Sequence, residues 1–317
     1  MIVPIISLLV GAILLYFGAE ALVAGASRLA ILLGIPPLVV GLTVVSLCTS
    51  LPEAVASLTA QLSDNLGDMA LANIIGSNIS NIALILGCTV IIAPLTVHRF
   101  ILTREIPVML LFTGLLIGIM YLGDIQRSSG FFLLGCLVAY IIFQYFLGRS
   151  NPGTEEDVHA IDGPFEFYGS TAKSLALLLI LGTTALVVGG YLLVDGAVAL
   201  AHFWGISERV IGLTLVALGT SLPELATSVV AASRGNSDIS LGNIVGSNIF
   251  NILFIVGGVA AIQPIQFDLS AMLTDAWVMA GYSVLLLVLI LPKLHIGRTA
   301  GICLFGSYSY YVYTLFA

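Results

Sequence analysis

Apolar runs of about twenty residues follow one another along almost the whole chain, and they leave few folds open. Cut at polar residues and at Pro/Gly breaks, they predict spans near 4–32, 36–62, 70–93, 106–122, 130–148, 172–203, 208–232, 239–262, 272–291 and 299–316. A hydrocarbon core about 30 Å thick takes roughly 20 helical residues to cross. In lipid every backbone N–H and C=O must be bonded internally, so only helices and closed barrels span it. A barrel would show short alternating segments, whereas these runs are long and continuous. The expected fold class is therefore all-α: a polytopic membrane protein with ten transmembrane helices. The 59% apolar and 9% charged content of the 317 residues excludes a water-soluble reading, for which about 25% charge is ordinary.

Charge excludes other classes. A net charge of -7 with only 10 Lys and Arg cannot neutralise a phosphate backbone, so no nucleic-acid partner is expected. Cys48, Cys88, Cys136 and Cys303 lie in apolar runs without paired spacing and read as buried thiols, with no disulfide or zinc site. The first cation is Arg28, so the first run reads as a retained span and not as a leader. With the N-terminus outside, Arg28, Arg99, Arg104, Arg149, Lys173, Arg234, Lys293 and Arg298 fall in or beside cytoplasmic connections, leaving Arg127 and Arg209 outside. Ten spans then put the C-terminus outside as well, in a cell (plasma or inner) membrane. The hydrophilic stretch from Arg149 divides the chain into a first five-helix unit, 1–148, a cytoplasmic linker, 149–171, and a second unit, 172–317.

The two units repeat each other. Gly41 to Glu53 reads G-L-T-V-V-S-L-C-T-S-L-P-E and Gly212 to Glu224 reads G-L-T-L-V-A-L-G-T-S-L-P-E, identical at ten of thirteen positions. Asn73 to Gly87, N-I-I-G-S-N-I-S-N-I-A-L-I-L-G, matches Asn243 to Gly257, N-I-V-G-S-N-I-F-N-I-L-F-I-V-G, at ten of fifteen. Because each unit has an odd number of spans, the second copy enters the membrane upside down. Inverted repeats that meet at the midplane are a transporter architecture.

The repeated blocks carry the chemistry. Glu53 and Glu224 lie at equivalent positions inside apolar runs, where a charged side chain costs at least ~2.5–3.5 kcal/mol. Each follows a proline, and Pro52 and Pro223 remove the helical bonds that the Cys48 and Gly219 carbonyls would otherwise accept. Freed carbonyls beside a carboxylate read as part of an ion site. Thr49 and Ser50 lie four and three residues before Glu53, on its face of a continuous helix, and Thr220 and Ser221 repeat this before Glu224. Asn73, Ser77 and Asn81 form one polar stripe, mirrored by Asn243, Ser247 and Asn251, with Gly76 and Gly246 permitting close helix approach. All these donors are hard oxygens, which suit sodium, calcium or magnesium. Two ionised glutamates give a charge that one calcium or two sodium ions would cancel, so the cations compete for one site.

These blocks resemble the paired alpha-repeats of the sodium/calcium exchanger family, within the cation/calcium exchanger superfamily, and above all its short prokaryotic members. The resemblance implies that Glu53 and Glu224 share a central calcium site, with Thr49 and Thr220 contributing backbone carbonyls. It implies outer sodium sites at Ser50, Ser77 and the Ser46 carbonyl, and at Ser221, Ser247 and the Ala217 carbonyl, with Asn81 and Asn251 lining the middle. It further implies three sodium ions exchanged for one calcium, net charge movement, and alternating access by sliding of the first and sixth spans. Cys48, at the place of Gly219, departs from the repeat and is expected to crowd its carbonyl. Asn at both 81 and 251 lacks the Asp of potassium-dependent relatives, so potassium co-transport is not expected.

Other features read as structural. Glu20 and Asp195 fit a pairing or a cavity rim, and Glu155 to Asp157 a solvated linker without the register of a calcium-binding loop. The closing G-S-Y-S-Y-Y-V-Y suits an interfacial aromatic belt. The expected function is a sodium/calcium antiporter, with no cofactor, calcium, sodium and the lipid bilayer as partners, and no obligate protein partner. A proton/calcium antiporter of the same fold is the alternative, and a cation channel a further one. H-E-x-x-H and nucleophile constellations are absent from the sequence, which argues against an enzyme.

Overall fold

A computed structural model describes residues 2–64, 67–150, 171–204 and 219–316. The described chain is built almost wholly of helices: α1 (Ile2–Leu33), α2 (Pro37–Thr49), α3 (Leu51–Asp64), α4 (Gly67–Ile92), α5 (Ile101–Tyr121) and α6 (Arg127–Ser150). After the linker come α7 (Ala172–Phe203), α8 (Leu222–Ser233), α9 (Ser237–Ile262), α10 (Leu269–Ile290) and α11 (Arg298–Phe316). Seven of them, α1, α4, α5, α6, α7, α9 and α10, are long and apolar enough to cross a membrane, and α2 with α3 makes an eighth if the bent pair is one span. Of the stretch read as a span over 208–232, only residues 219–232 are described, and the 149–171 linker likewise falls almost entirely outside the described residues. In α11 the Ser and Tyr of G-S-Y-S-Y-Y-V-Y dilute the apolar run.

Lipid and protein faces are clearly divided. α4 and α9 are buried on nearly all sides and form the centre, where Ile74, Ile79, Ile82, Ile244, Ile249 and Ile252 are fully covered. Leu9, Ile13, Phe143, Phe146, Ile180 and Val288 on the outer helices are exposed, as lipid contact requires. The connections pair in a related way: β1 (Leu95–Thr96) lies antiparallel to β2 (His295–Ile296), and the bridge Ile125 to Ile265 is its counterpart elsewhere in the chain. Between the helices, Glu105, fully buried, accepts from Arg104, Tyr140 and Gln144 and so ties α5 to α6.

The α-helical reading of each apolar run holds for most of its length, with four π-wound departures among the described residues. Gly41–Val45, Asn81–Ile85, Ile101–Glu105 and Asn251–Val256 are wound as π-helix. Such a turn leaves carbonyls less regularly partnered, and it recurs at functional sites. In the first of them the Ser46 hydroxyl donates to Gly41 O at 2.8 Å.

The longest helix interface, between α1 and α7, rests on glycines seven residues apart: Gly11, Gly18 and Gly25 on one helix, Gly182, Gly189 and Gly196 on the other. The pair runs antiparallel, with Gly11 against Gly189 and Gly18 against Gly182. A Cβ on Gly18 would stand 2.8 Å from Leu186 N, and one on Gly189 2.8 Å from Leu15 N. Backbones this close gain dispersion energy along the whole interface, which drives association where lipid gives no hydrophobic gain. Ser7 adds a hydrogen bond from its hydroxyl to Leu192 O at 2.8 Å. Gly18→Leu should therefore lower the thermal midpoint in detergent, at a cost of about 1–3 kcal/mol for overpacking. Gly114→Leu, on an exposed face of α5 with nothing within 4 Å, should leave the midpoint unchanged.

Candidate functional site

The break between α2 and α3 and the matching turn before α8 build the site. Pro52 has no N–H to give the Cys48 carbonyl, and the helix bends by 43° between α2 and α3. Ser50 sits in the break at φ -80°, ψ 4°, and Ser221, at the same place before α8, has φ -90°, ψ 4°. Backbone bonds resume on either side, from Ser50 N to Ser46 O at 3.0 Å and from Ala54 N to Ser50 O at 3.1 Å; Leu225 N to Ser221 O, also 3.1 Å, matches the latter. The breaks place Glu53 and Glu224 in the first turns of α3 and α8, each 1% exposed.

The two breaks are cross-linked. Ser221 Oγ donates to Glu53 Oε1 at 3.2 Å, and Ser50 Oγ donates to Glu224 Oε1 at 3.3 Å. Sequence spacing puts Ser50 on the face of Glu53 and Ser221 on that of Glu224 if the helix is continuous. The interruption turns each hydroxyl instead to the carboxylate of the other half, so the acidic residues are held together by reciprocal bonds. Their second oxygens, Glu53 Oε2 and Glu224 Oε2, are buried and without a hydrogen-bond partner among the described residues.

Among the other buried oxygens in the same condition are Thr220 Oγ1, Ser247 Oγ, Asn81 Oδ1 and Asn251 Oδ1. All six belong to residues singled out by the repeated blocks. A buried acceptor left unpaired costs about 1–3 kcal/mol, and more when it is charged. Buried, unpartnered oxygens on the two broken blocks and their neighbouring central helices make an environment that a hard cation satisfies and a hydrocarbon does not. Among the described residues, His, Cys, Asp and Glu form no group of three or more that could hold a metal ion, so the donor set is two carboxylates amid neutral oxygens.

The other predicted residues take distinct places. Ser46 is fully buried, its hydroxyl donating to Gly41 O and, at 3.1 Å, to Asn243 O. Thr49 Oγ1 donates to Asn243 Oδ1 at 3.0 Å and to Ser46 O at 3.4 Å. Ser77 is buried, and its carbonyl accepts from Ser80 Oγ at 3.0 Å. Ala217 lies outside the described residues. Gly246 does permit close approach, since a Cβ there would meet Ser46 Oγ and, at 2.6 Å, Leu42 O. Gly41 against Gly242 closes the same side, so the site is sealed around Ser46, Thr49 and Asn243. Asn73 and Thr220, opposite, are half-buried.

Asn73 and Asn243 are anchors. Asn243 Nδ2 donates to Ser228 Oγ at 3.0 Å and Glu224 O at 3.4 Å, and Asn73 Nδ2 donates to Ser57 Oγ at 2.9 Å and Glu53 O at 3.4 Å. Each amide thus fixes the helix that presents a glutamate to the neighbouring central helix. Asn78 is not singled out by the sequence, although the S-N pair recurs in both blocks. Its Oδ1 accepts from Asn251 Nδ2 at 3.0 Å, which orients that amide and leaves the Asn251 oxygen free.

The expectation that Cys48 crowds its own carbonyl needs correction. Its side chain faces α7 and lines an apolar groove of about 350 Å³ with Leu179, Thr183 and Val187. Gly219 meets Val194, where a Cβ would come within 2.4 Å, so the two positions are packed differently and not interchangeable. Glu20 is buried and paired with Arg234, in line with the expected pairing, whereas Asp195 is exposed.

Known proteins are similar to this chain along nearly its whole length. A family model described as Sodium/calcium exchanger protein matches residues 3–146 and 174–317. The inner membrane protein YrbG of Escherichia coli (strain K12) is 40% identical over 95% of this chain and 93% of its own. The putative antiporter CaxA of Alkalimonas amylolytica is 39% identical over 100% of both chains. Among solved structures, the sodium-calcium exchanger NCX_Mj, soaked with 2.5 mM Na+ and 0.1 mM Ca2+, superposes with a TM-score of 0.82 at 32% identity over 99% of each chain. Paired T-S-L-P-E breaks, a buried oxygen cage and these likenesses agree that this multi-pass membrane protein belongs to the sodium/calcium exchanger family.

Proposed function

We propose that this chain is a secondary active antiporter that exchanges sodium for calcium by alternating access. The observation that carries the reading is the pair of reciprocally bonded, buried glutamates, each with one oxygen unpartnered, together with the unpartnered oxygens of Thr220, Ser247, Asn81 and Asn251. An empty cage holds two carboxylates in a low-dielectric interior, which is costly, and one calcium or two sodium ions cancel that charge. Only the loaded protein then crosses between its access states at modest cost, and this condition turns a binding site into an exchanger. NCX_Mj has been solved in crystals soaked with Na+ and with Ca2+ or Sr2+, which supports these ions as cargo here.

In this reading Glu53 and Glu224 hold calcium at the centre with the Thr49 and Thr220 carbonyls. Sodium ions occupy positions at Ser50, Ser77 and the Ser46 carbonyl, and at Ser221, Ser247 and the Ala217 carbonyl, with Asn81 and Asn251 lining the middle. Three sodium ions entering for one calcium leaving move one net positive charge inward. The chain forms ten spans in two inverted five-helix units, 1–148 and 172–317, joined by the 149–171 linker, with both termini outside the cytoplasm. The matched backbone angles at Ser50 and Ser221, and the counterpart connections at Leu95 and Ile125, support the two-unit reading. No resident cofactor and no protein partner enter the mechanism. The hydroxyl and amide oxygens favour sodium over the proton as coupling ion, because proton exchange at a carboxylate leaves them idle.

In reconstituted vesicles, an imposed sodium gradient should drive calcium uptake, and Glu53→Gln or Glu224→Gln should lower it by roughly a hundredfold or more, since each removes a charge from a buried cluster. Uptake driven by a pH gradient with sodium absent would overturn sodium coupling, and single-channel conductance would overturn the antiporter. Asn243→Ala separates anchor from ligand: the thermal midpoint should fall, at about 1–3 kcal/mol for lost buried bonds. Added calcium should still raise that midpoint in Asn243→Ala, and should no longer do so in Glu53→Gln.

A further inference from the structure

The exchange chemistry uses neither Glu20 nor Arg234. Glu20 lies midway along α1, 6% exposed, and its Oε1 accepts from Arg234 Nη2 at 2.6 Å and from Arg234 Nε at 3.1 Å. Arg234 directly follows α8, and its backbone N–H donates to Val230 O at 3.0 Å, so it is fixed to the helix that carries Glu224. Around the ion pair α1 meets α2 and α8 through apolar side chains, Ala19, Val23 and Ala26 with Val45, Val230 and Ala231 in one buried cluster.

The apolar cluster and the ion pair respond differently to displacement. Apolar burial is non-directional, so the surface that a sliding helix uncovers behind it is offset by the surface it covers ahead. A forked guanidinium–carboxylate pair is directional, and a shift of one helical turn leaves a buried carboxylate unpaired. The pair also lacks a counterpart. Alignment of the two T-S-L-P-E blocks puts Ser63 where Arg234 stands, and alignment of G-A-E-A-L-V-A-G-A with G-G-Y-L-L-V-D-G-A puts Tyr191 where Glu20 stands.

We propose that Glu20 and Arg234 form a one-sided ionic latch between the α1–α7 pair and the ion-binding body, favouring the access state in which the Ser46 side of the site is sealed. They are positioning residues and touch no ion. The proposal rests on alternating access by displacement of α1 and α7, and it adds a built-in bias between the two states.

The test is an accessibility measurement in reconstituted full-length protein whose four native cysteines are replaced. Val45→Cys serves as reporter, because Val45 is fully buried in the cluster that α1 covers. With Glu20→Gln or Arg234→Gln, maleimide labelling of the reporter should speed up by about fivefold, the scale of a partly exposed ion pair. The double variant should add little to either single one, and the exchange Glu20→Arg with Arg234→Glu should move labelling back towards wild type. Arg234→Lys, which keeps charge but loses the fork, should lie between and guards against a poorly folded variant. Unchanged labelling in both single variants, or strictly additive effects in the double, overturns the latch, even where the thermal midpoint falls. Labelling requires no calcium flux, so a wild-type protein that fails to exchange sodium for calcium would sink the antiporter reading without deciding this one. Where flux is present, the calcium KM measured from the two faces should shift in opposite senses.

Discussion

Two carboxylates at 1% exposure inside an apolar body form the constraint from which the rest of the structure follows. Neither carries a basic partner among the described residues, and each has one oxygen bonded to a serine hydroxyl and one left free. Two ionised carboxylates so placed are costly until a positive charge offsets them, and in the proposed exchange that charge is the transported cation. The prolines put the carboxylates at the first turn of a helix, where unpaired N–H groups offset part of their charge. Asn73 and Asn243 hold those first turns in place through carbonyls and serines, so the site tolerates its own electrostatics only because its backbone is pinned.

Much of this was legible in the sequence, and for identifiable reasons. Proline before glutamate in an apolar run is a local signal, and both the break and the buried charge follow from covalent chemistry and solvation alone. Repetition of T-S-L-P-E and G-S-N-I-x-N supplied the pairing of the halves. The crossing of Ser50 to Glu224 was not legible, because it depends on how two distant helices meet. The spacing rule that links Ser50 to Glu53 assumes a helix that the proline interrupts. The π-wound segments also escaped, since period analysis at 3.6 residues absorbs one extra residue without trace. Asn78 escaped for another reason: it acts on Asn251 through an amide bond between halves, and its own block gives no sign of that partner.

The halves are less equal than their sequences. Cys48 against a groove on α7 and Gly219 against Val194 show one repeat position serving two packing tasks. The buried Ser80 donates to Ser77 O, whereas Phe250 at the corresponding place is a fully covered ring. The Glu20 to Arg234 pair has no match in the other half. A perfectly symmetric carrier would rest equally in both orientations, and each of these differences removes that degeneracy.

The seven-residue glycine spacing on α1 and α7 has a mechanical corollary. Helices joined backbone to backbone from Pro4 beside Gly196 to Leu22 beside Gly182 behave as a single plank. Under the alternating access proposed above, such a plank would move as one body, uncovering one face of the site as it covers the other. Freedom from leak would then be set by the stiffness of one antiparallel pair, whose two ends keep time with each other.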